Sequence, residues 1–144
     1  MRTITSIFLI IFSFIVTAQK NPIYTSNDGA IKGYDPVAYF KKGEPVKGSE
    51  SFKLEWKGAE WLFSSQENLE VFKAEPEKYA PQFGGYCAYA VGNGYTYESS
   101  PMTWRIVDGK LYLNYSKGIQ KKWEAAQGEL IKKAEENWPR LVEE

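Results

Sequence analysis

Hydrophobic and polar positions alternate most regularly between Phe52 and Phe63. Phe52, Leu54 and Trp56 are interleaved with Lys53 and Glu55, Lys57-Gly58 marks a turn, and Ala59, Trp61 and Phe63 resume the alternation. A period of two predicts a β-hairpin with one aromatic face. A second hairpin is predicted from Thr103 to Val107 and from Lys110 to Tyr115, joined by Asp108-Gly109, a pair that takes the positive φ angles of a two-residue turn. Between the hairpins the period lengthens. Leu69, Val71 and Phe72 give a helix its buried stripe, and in Ser64-Ser65-Gln66-Glu67 a serine followed three positions later by glutamate reads as a capping box. That helix is expected to end near Glu75-Pro76, with Pro76 starting one further turn that carries Tyr79 toward the core.

Nearer the N-terminus, Asn27-Asp28-Gly29 is a turn signal, and Ala30 and Ile31 begin a strand that Gly33 interrupts. Asp35 caps a short helix whose first turn accepts Pro36 and whose apolar anchors are Val37, Tyr39 and Phe40. At the other end, Ile119, Trp123, Leu130, Ile131, Ala134 and Trp138 recur at helical spacing, with Gly128 expected to break the segment into two helices. The reading is an α+β fold: a small single domain with two antiparallel β-hairpins, short helices and a C-terminal helical segment.

Residues 1 to 18 stand apart from this pattern. Arg2 is followed by the apolar run Ile7 to Val16 and by Thr17-Ala18, small enough at its end for a signal peptidase. They are read as a cleaved signal peptide, since the run is short for a bilayer span and no cysteine follows it for lipidation. The expected location is periplasmic or secreted, with no stable membrane anchor after cleavage. Residues 19–27 form a short polar leader and residues 28–144 the domain. Removing 18 of the 144 residues leaves 126, enough for one core. Without Arg2, 17 basic residues face 18 acidic ones, a formal charge of −1, so the chain carries no electrostatic footprint for nucleic acid.

Two absences narrow the chemistry. The sequence has no histidine, which removes Ser-His-Asp and Cys-His nucleophile activation and all imidazole metal ligation. It has one cysteine, Cys87, so no intramolecular disulfide, C-x-x-C pair or multi-thiolate zinc site forms within one chain. An odd thiol in an exported protein is buried and inert, paired with another molecule through an intermolecular disulfide, or active as a thiolate. Cys87 follows Gly84-Gly85-Tyr86 and precedes Ala88-Tyr89. If a helix spans Tyr86 to Val91, Cys87 lies in its first turn, where unpaired amides favour a thiolate. If the segment is a strand, that effect is lost.

The run Gly33-Tyr34-Asp35-Pro36-Val37-Ala38-Tyr39-Phe40, the hairpin end Trp61-Leu62-Phe63-Ser64-Ser65 and the turn Glu75-Pro76-Glu77-Lys78-Tyr79 resemble the YHS domain. With Gly84-Gly85-Tyr86-Cys87-Ala88 and Val107-Asp108-Gly109-Lys110-Leu111-Tyr112-Leu113-Asn114, the chain is similar to exported, stand-alone YHS proteins. The resemblance implies ligand or metal handling. It also carries a departure: metal-handling YHS domains place cysteines where this sequence has Ala38, Ser64 and Asn68. Some exported relatives are similar to selenoproteins, with selenocysteine at the position matching Cys87, which implies a working chalcogen there.

The reading is therefore an exported binding module that holds a metal ion or small ligand near Cys87 without turnover, with Gly84, Gly85, Tyr86, Cys87 and Tyr89 as the ligand-binding residues. A soft transition metal such as copper is the candidate cofactor, with Cys87 and Met102 as soft ligands and Asp35, Asp108 or a tyrosine as harder companions. One alternative is a thiol-dependent redox protein in which Cys87 is resolved by an external thiol. The other is a structural or interaction domain in which Cys87 only packs. Tyr34, Tyr39, Trp56, Trp61, Phe63, Phe83, Tyr86, Tyr89 and Trp104 would serve either the core or a pocket for a flat ligand such as haem. Asn114-Tyr115-Ser116 matches a glycosylation sequon inside a predicted strand.

Overall fold

Among the described residues, three pairs of antiparallel strands form where turn residues bring segments together. The computed structural model describes residues 21–143; the signal-peptide reading lies outside them. Strands β1 (Thr25–Ser26) and β2 (Gly29–Ala30) make a small ladder across the predicted turn; of the strand expected to begin at Ala30 and Ile31, Ala30 ends β2 and Ile31 opens a 3-10 turn. The long hairpin is β3 (Ser49–Trp56) and β4 (Ala59–Phe63), paired Leu54 to Trp61 and Trp56 to Ala59 across the Lys57-Gly58 turn. The third is β5 (Ser100–Val107) and β6 (Lys110–Asn114), turning at Asp108-Gly109 as predicted. Helices α1 (Pro36–Lys41), α2 (Gln66–Ala74) and α3 (Pro76–Tyr79) pack near the long hairpin. Helices α4 (Ala88–Gly92), α5 (Lys117–Ala125) and α6 (Gln127–Glu143) gather at the other end. The small single-domain α+β architecture is the one predicted.

Two hydrophobic clusters divide the interior. One joins Val37, Tyr39, Trp61, Phe63 and Phe72, with Phe72 against the rings of Trp56, Trp61 and Phe63. The other joins Phe83, Ala88, Val91, Trp123, Leu130 and Ala134. Strand β6 is buried on both faces and serves both: Leu111 and Leu113 belong to the first cluster and the intervening Tyr112 to the second. Because side chains alternate along a strand, Asn114 falls on the Tyr112 side, toward α4. Its amide is fully buried there.

Three local readings need correction. The serine that caps α2 is Ser65, whose Oγ accepts from Asn68 N; Ser64 turns instead toward Asp35. The break in the C-terminal segment falls at Ala126, and Gly128 lies inside the first turn of α6. Part of the segment read as a leader is integrated: Ile23 is buried and Tyr24 N donates to the Gly84 carbonyl. Gly84 has φ +62°, and a Cβ there would stand 1.8 Å from the Pro22 carbonyl oxygen, so only glycine lets the two backbones cross.

Candidate functional site

Asp35 is the first place where functional side chains converge. It caps α1, its Oδ1 accepting from Val37 N at 2.9 Å and Ala38 N at 3.4 Å. Its Oδ2 accepts from Ser64 N at 2.8 Å, Ser64 Oγ at 2.6 Å and Asn68 Nδ2 at 2.8 Å. The carboxylate is fully buried, and its five bonds tie α1 to the end of β4 and the start of α2. Ala38, Ser64 and Asn68, the positions where the resemblance leads thiols to be expected, all direct donors at this one carboxylate.

A soft metal does not fit that donor set. Ala38 offers only its backbone, Ser64 and Asn68 offer a hydroxyl and an amide, and the Asp35 oxygens are occupied by hydrogen bonds. Among the described residues no group of three or more histidine, cysteine, aspartate or glutamate side chains stands close enough to hold a metal ion.

Cys87 is the second place, and its surroundings differ from those expected. It is the residue before α4, with φ −56° and ψ 116°, rather than part of the first turn of a helix beginning at Tyr86. It is 2 % exposed. Its Sγ donates to Asn114 Oδ1 at 3.6 Å, and the same oxygen accepts Tyr89 N at 3.0 Å. Asn114 Nδ2 is buried with no hydrogen-bond partner. Burial pushes the Cys87 thiol above its ordinary value; backbone N–H groups of Ala90, Tyr115 and Tyr89 favour the thiolate but do not reverse the shift. At neutral pH the group is a thiol.

Beside this thiol lies a cleft of about 130 Å³ lined by Cys87, Tyr89, Ala90, Tyr95, Tyr97, Tyr115 and Ile119. Cys87 and Ala90 are buried and form its floor, whereas Tyr95, Tyr97 and Tyr115 are about half exposed and form its rim. Backbone bonds fix these walls. Cys87 N donates to the Tyr97 carbonyl at 3.0 Å, and Tyr95 N donates to the Ala90 carbonyl at 3.1 Å. The rings of Tyr97 and Tyr115 stand 5.2 Å apart at 76°, making a corner.

The sequence-derived site residues therefore separate. Cys87 and Tyr89 line the cleft. Gly84 lines a different groove with Pro22, Trp56 and Trp138, and Tyr86 packs on Tyr24 and Trp138 while its hydroxyl donates to the Asn21 carbonyl. Gly85 is buried, its carbonyl accepting from Ser99 Oγ. Met102 is exposed on β5 and does not line the cleft. Among the aromatics weighed for a flat ligand, Tyr39, Trp61 and Phe63 are buried in the core and only Tyr89 reaches the cleft. The sequon nitrogen, Asn114 Nδ2, is inaccessible to a glycosyl donor.

Tyr95, Tyr97, Tyr115 and Ile119 were not legible as site residues. The available signal was a surplus of tyrosines, Tyr95 and Tyr97, in a glycine-punctuated loop that has no apolar periodicity to bury them. No helix of the described residues is long and apolar enough to cross a membrane. No curated protein and no solved structure shows a significant match to the chain. Residues 37–83 match the family model of the YHS domain, a match that supports the YHS family and stops short of Cys87 and its cleft.

Proposed function

We propose that the protein is an exported binding module whose small ligand sits over Cys87 between the tyrosines of the cleft, without turnover. The observation that carries this reading is the cleft itself: a mostly apolar space beside a neutral thiol, walled by four tyrosines, of which Tyr95 and Tyr97 are tied by backbone bonds to Ala90 and Cys87. Cavities of roughly 150 Å³ with apolar walls hold a molecule the size of benzene, which sets the scale of the ligand or ligand group. The YHS match in the neighbouring segment fits a binding module in general. A single thiol with a raised pKa is a weak start for metal ligation and for thiolate redox chemistry, so the small-ligand reading takes precedence over both. The exported location rests on residues 1 to 18, and N-terminal sequencing of the mature protein checks it: an N-terminus at Gln19 supports export and an intact Met1 refutes it.

The test of binding is an amide NMR titration of the mature protein with benzene-sized neutral, cationic and anionic molecules, alongside anaerobic metal analysis. Saturable shifts confined to residues around Ala90, Tyr95, Tyr97 and Ile119, abolished when Ile119→Trp fills the cleft, are expected. Absence of any shift there would overturn the reading. So would stoichiometric metal that is present in the wild type and lost in Cys87→Ser.

A further inference from the structure

We infer that the cleft over Cys87 recognises a methylated ammonium group, the cationic head of a choline-like or betaine-like molecule. The inference rests on the binding reading above and names its ligand class. Four of the seven lining residues are tyrosines, and none is charged. The negative face of an aromatic ring attracts a cation, and a quaternary ammonium is the cation that gives up its water most readily, having no N–H groups to satisfy. A primary ammonium would carry three N–H groups to satisfy, and the lining has no carboxylate to take them, only tyrosine hydroxyls and a thiol. An anion would meet ring faces and a neutral thiol, with no lysine or arginine in the lining.

The geometry supplies the enclosure. Tyr97 and Tyr115 meet nearly at right angles, at 76°, so a rounded cation placed in their corner touches two ring systems at once. Tyr95 stands on the rim and Tyr89 on the wall, while Cys87 and Ala90 close the floor with small groups. The volume of about 130 Å³ suits a trimethylammonium head and leaves the rest of the molecule outside. Exposure of the three rim tyrosines, between 43 and 50 %, is what a site needs when a tethered head enters from solvent. Ordering by backbone bonds at Tyr95 and Tyr97 lowers the entropic cost of closing around it.

The test compares choline chloride with 3,3-dimethyl-1-butanol, which has the same shape with carbon in place of charged nitrogen. Calorimetry or NMR titration at fixed ionic strength should show choline binding about tenfold more tightly. Tyr97→Leu keeps an apolar wall and the backbone carbonyl that Cys87 N uses, so it should remove most of choline's advantage while moving the alcohol's affinity less than about twofold. Equal affinities, or equal weakening of both by Tyr97→Leu, would overturn the cation inference and leave the binding reading standing. If neither compound nor any other benzene-sized probe perturbs the cleft, both fall. A thermal melt of Tyr97→Leu matching the wild type confirms that a lost affinity belongs to the cleft rather than to unfolding.

Discussion

Asp35 and Cys87 are both buried groups at the start of a helix, yet their surroundings are opposite. Asp35 accepts five hydrogen bonds, from α1, from α2 and from Ser64 in the link between β4 and α2. The Cys87 thiol donates one long bond, to an asparagine whose own Nδ2 lacks a partner, and a cleft opens next to it. A saturated polar hub costs the protein little and joins elements together; an unsaturated one beside a void is a place where stability has been left uncollected. The contrast separates a saturated structural hub from the cleft on which the binding proposal rests. The YHS match at residues 37–83 contains the partners of Asp35, while the cleft is built from residues that follow it.

The sharpest way to break this comparison is Asp35→Ala. It strands buried donors on Ser64, Asn68 and the first turn of α1, each costing about 1–3 kcal/mol when unsatisfied, so a loss of roughly 3 kcal/mol or more is expected in urea denaturation. A loss under about 1 kcal/mol would show that the hub does not hold α1, β4 and α2 together. Ligand affinity of the folded fraction should be unchanged, because none of the hub residues lines the cleft.

A smaller effect is expected from Cys87→Ala, which removes one buried sulfur and should cost about 1 kcal/mol near pH 7. Its pH dependence is more informative. The folded-state pKa of Cys87 is raised above the ordinary value of 9.0, so the folded chain holds its proton more tightly than the unfolded chain. The resulting stability is fully present below about pH 9 and is lost as pH rises from there through the folded pKa. Buried tyrosines such as Tyr39, also raised, act in the same direction but in both proteins alike. The gap between wild type and Cys87→Ala should therefore narrow as chemical denaturation is repeated from pH 8 to pH 10.5. A gap that widens would mean that the folded state favours the thiolate, and the redox reading would regain ground.

The least destabilising change, Tyr95→Leu, sharpens the other half of the comparison. Tyr95 is 49 % exposed, so its replacement should leave stability within about 0.5 kcal/mol of wild type. Choline affinity should nevertheless fall several-fold, because the substitution removes one ring face from the rim. Equal affinity in the variant would take Tyr95 out of the site.

Most of the scaffold was legible before any coordinates. The alternation from Phe52 to Phe63 and the Asp108-Gly109 turn predicted both larger hairpins, and the caps at Asp35 and Pro76 predicted α1 and α3. These features are local: a side-chain period, a turn conformation or a cap is decided by residues a few positions apart. The misplacements were local ambiguities, as with Ser64 and Ser65, where either serine could cap α2 until Asp35 claimed Ser64 from 29 positions away. Of Gly84, Gly85, Tyr86, Cys87 and Tyr89, grouped by the sequence reading, only Cys87 and Tyr89 line the same cleft, for a related reason. The positive φ angles of Phe83, Gly84 and Gly85 turn the chain sharply, and neighbours in sequence face different clefts.

The sequence by itself determined the α+β class, the two larger hairpins, the single thiol and the absence of imidazole chemistry, because composition and short-range periodicity carry that information. Only the tertiary structure decided what surrounds the thiol. Tyr89, Tyr95, Tyr97, Tyr115 and Ile119 meet at Cys87 because β6 returns Asn114 against Tyr89 N and the loop after α4 folds back onto Cys87 N. Such long-range hydrogen bonds leave no period in the chain, and the burial that raises the pKa of Cys87 exists only once they have formed.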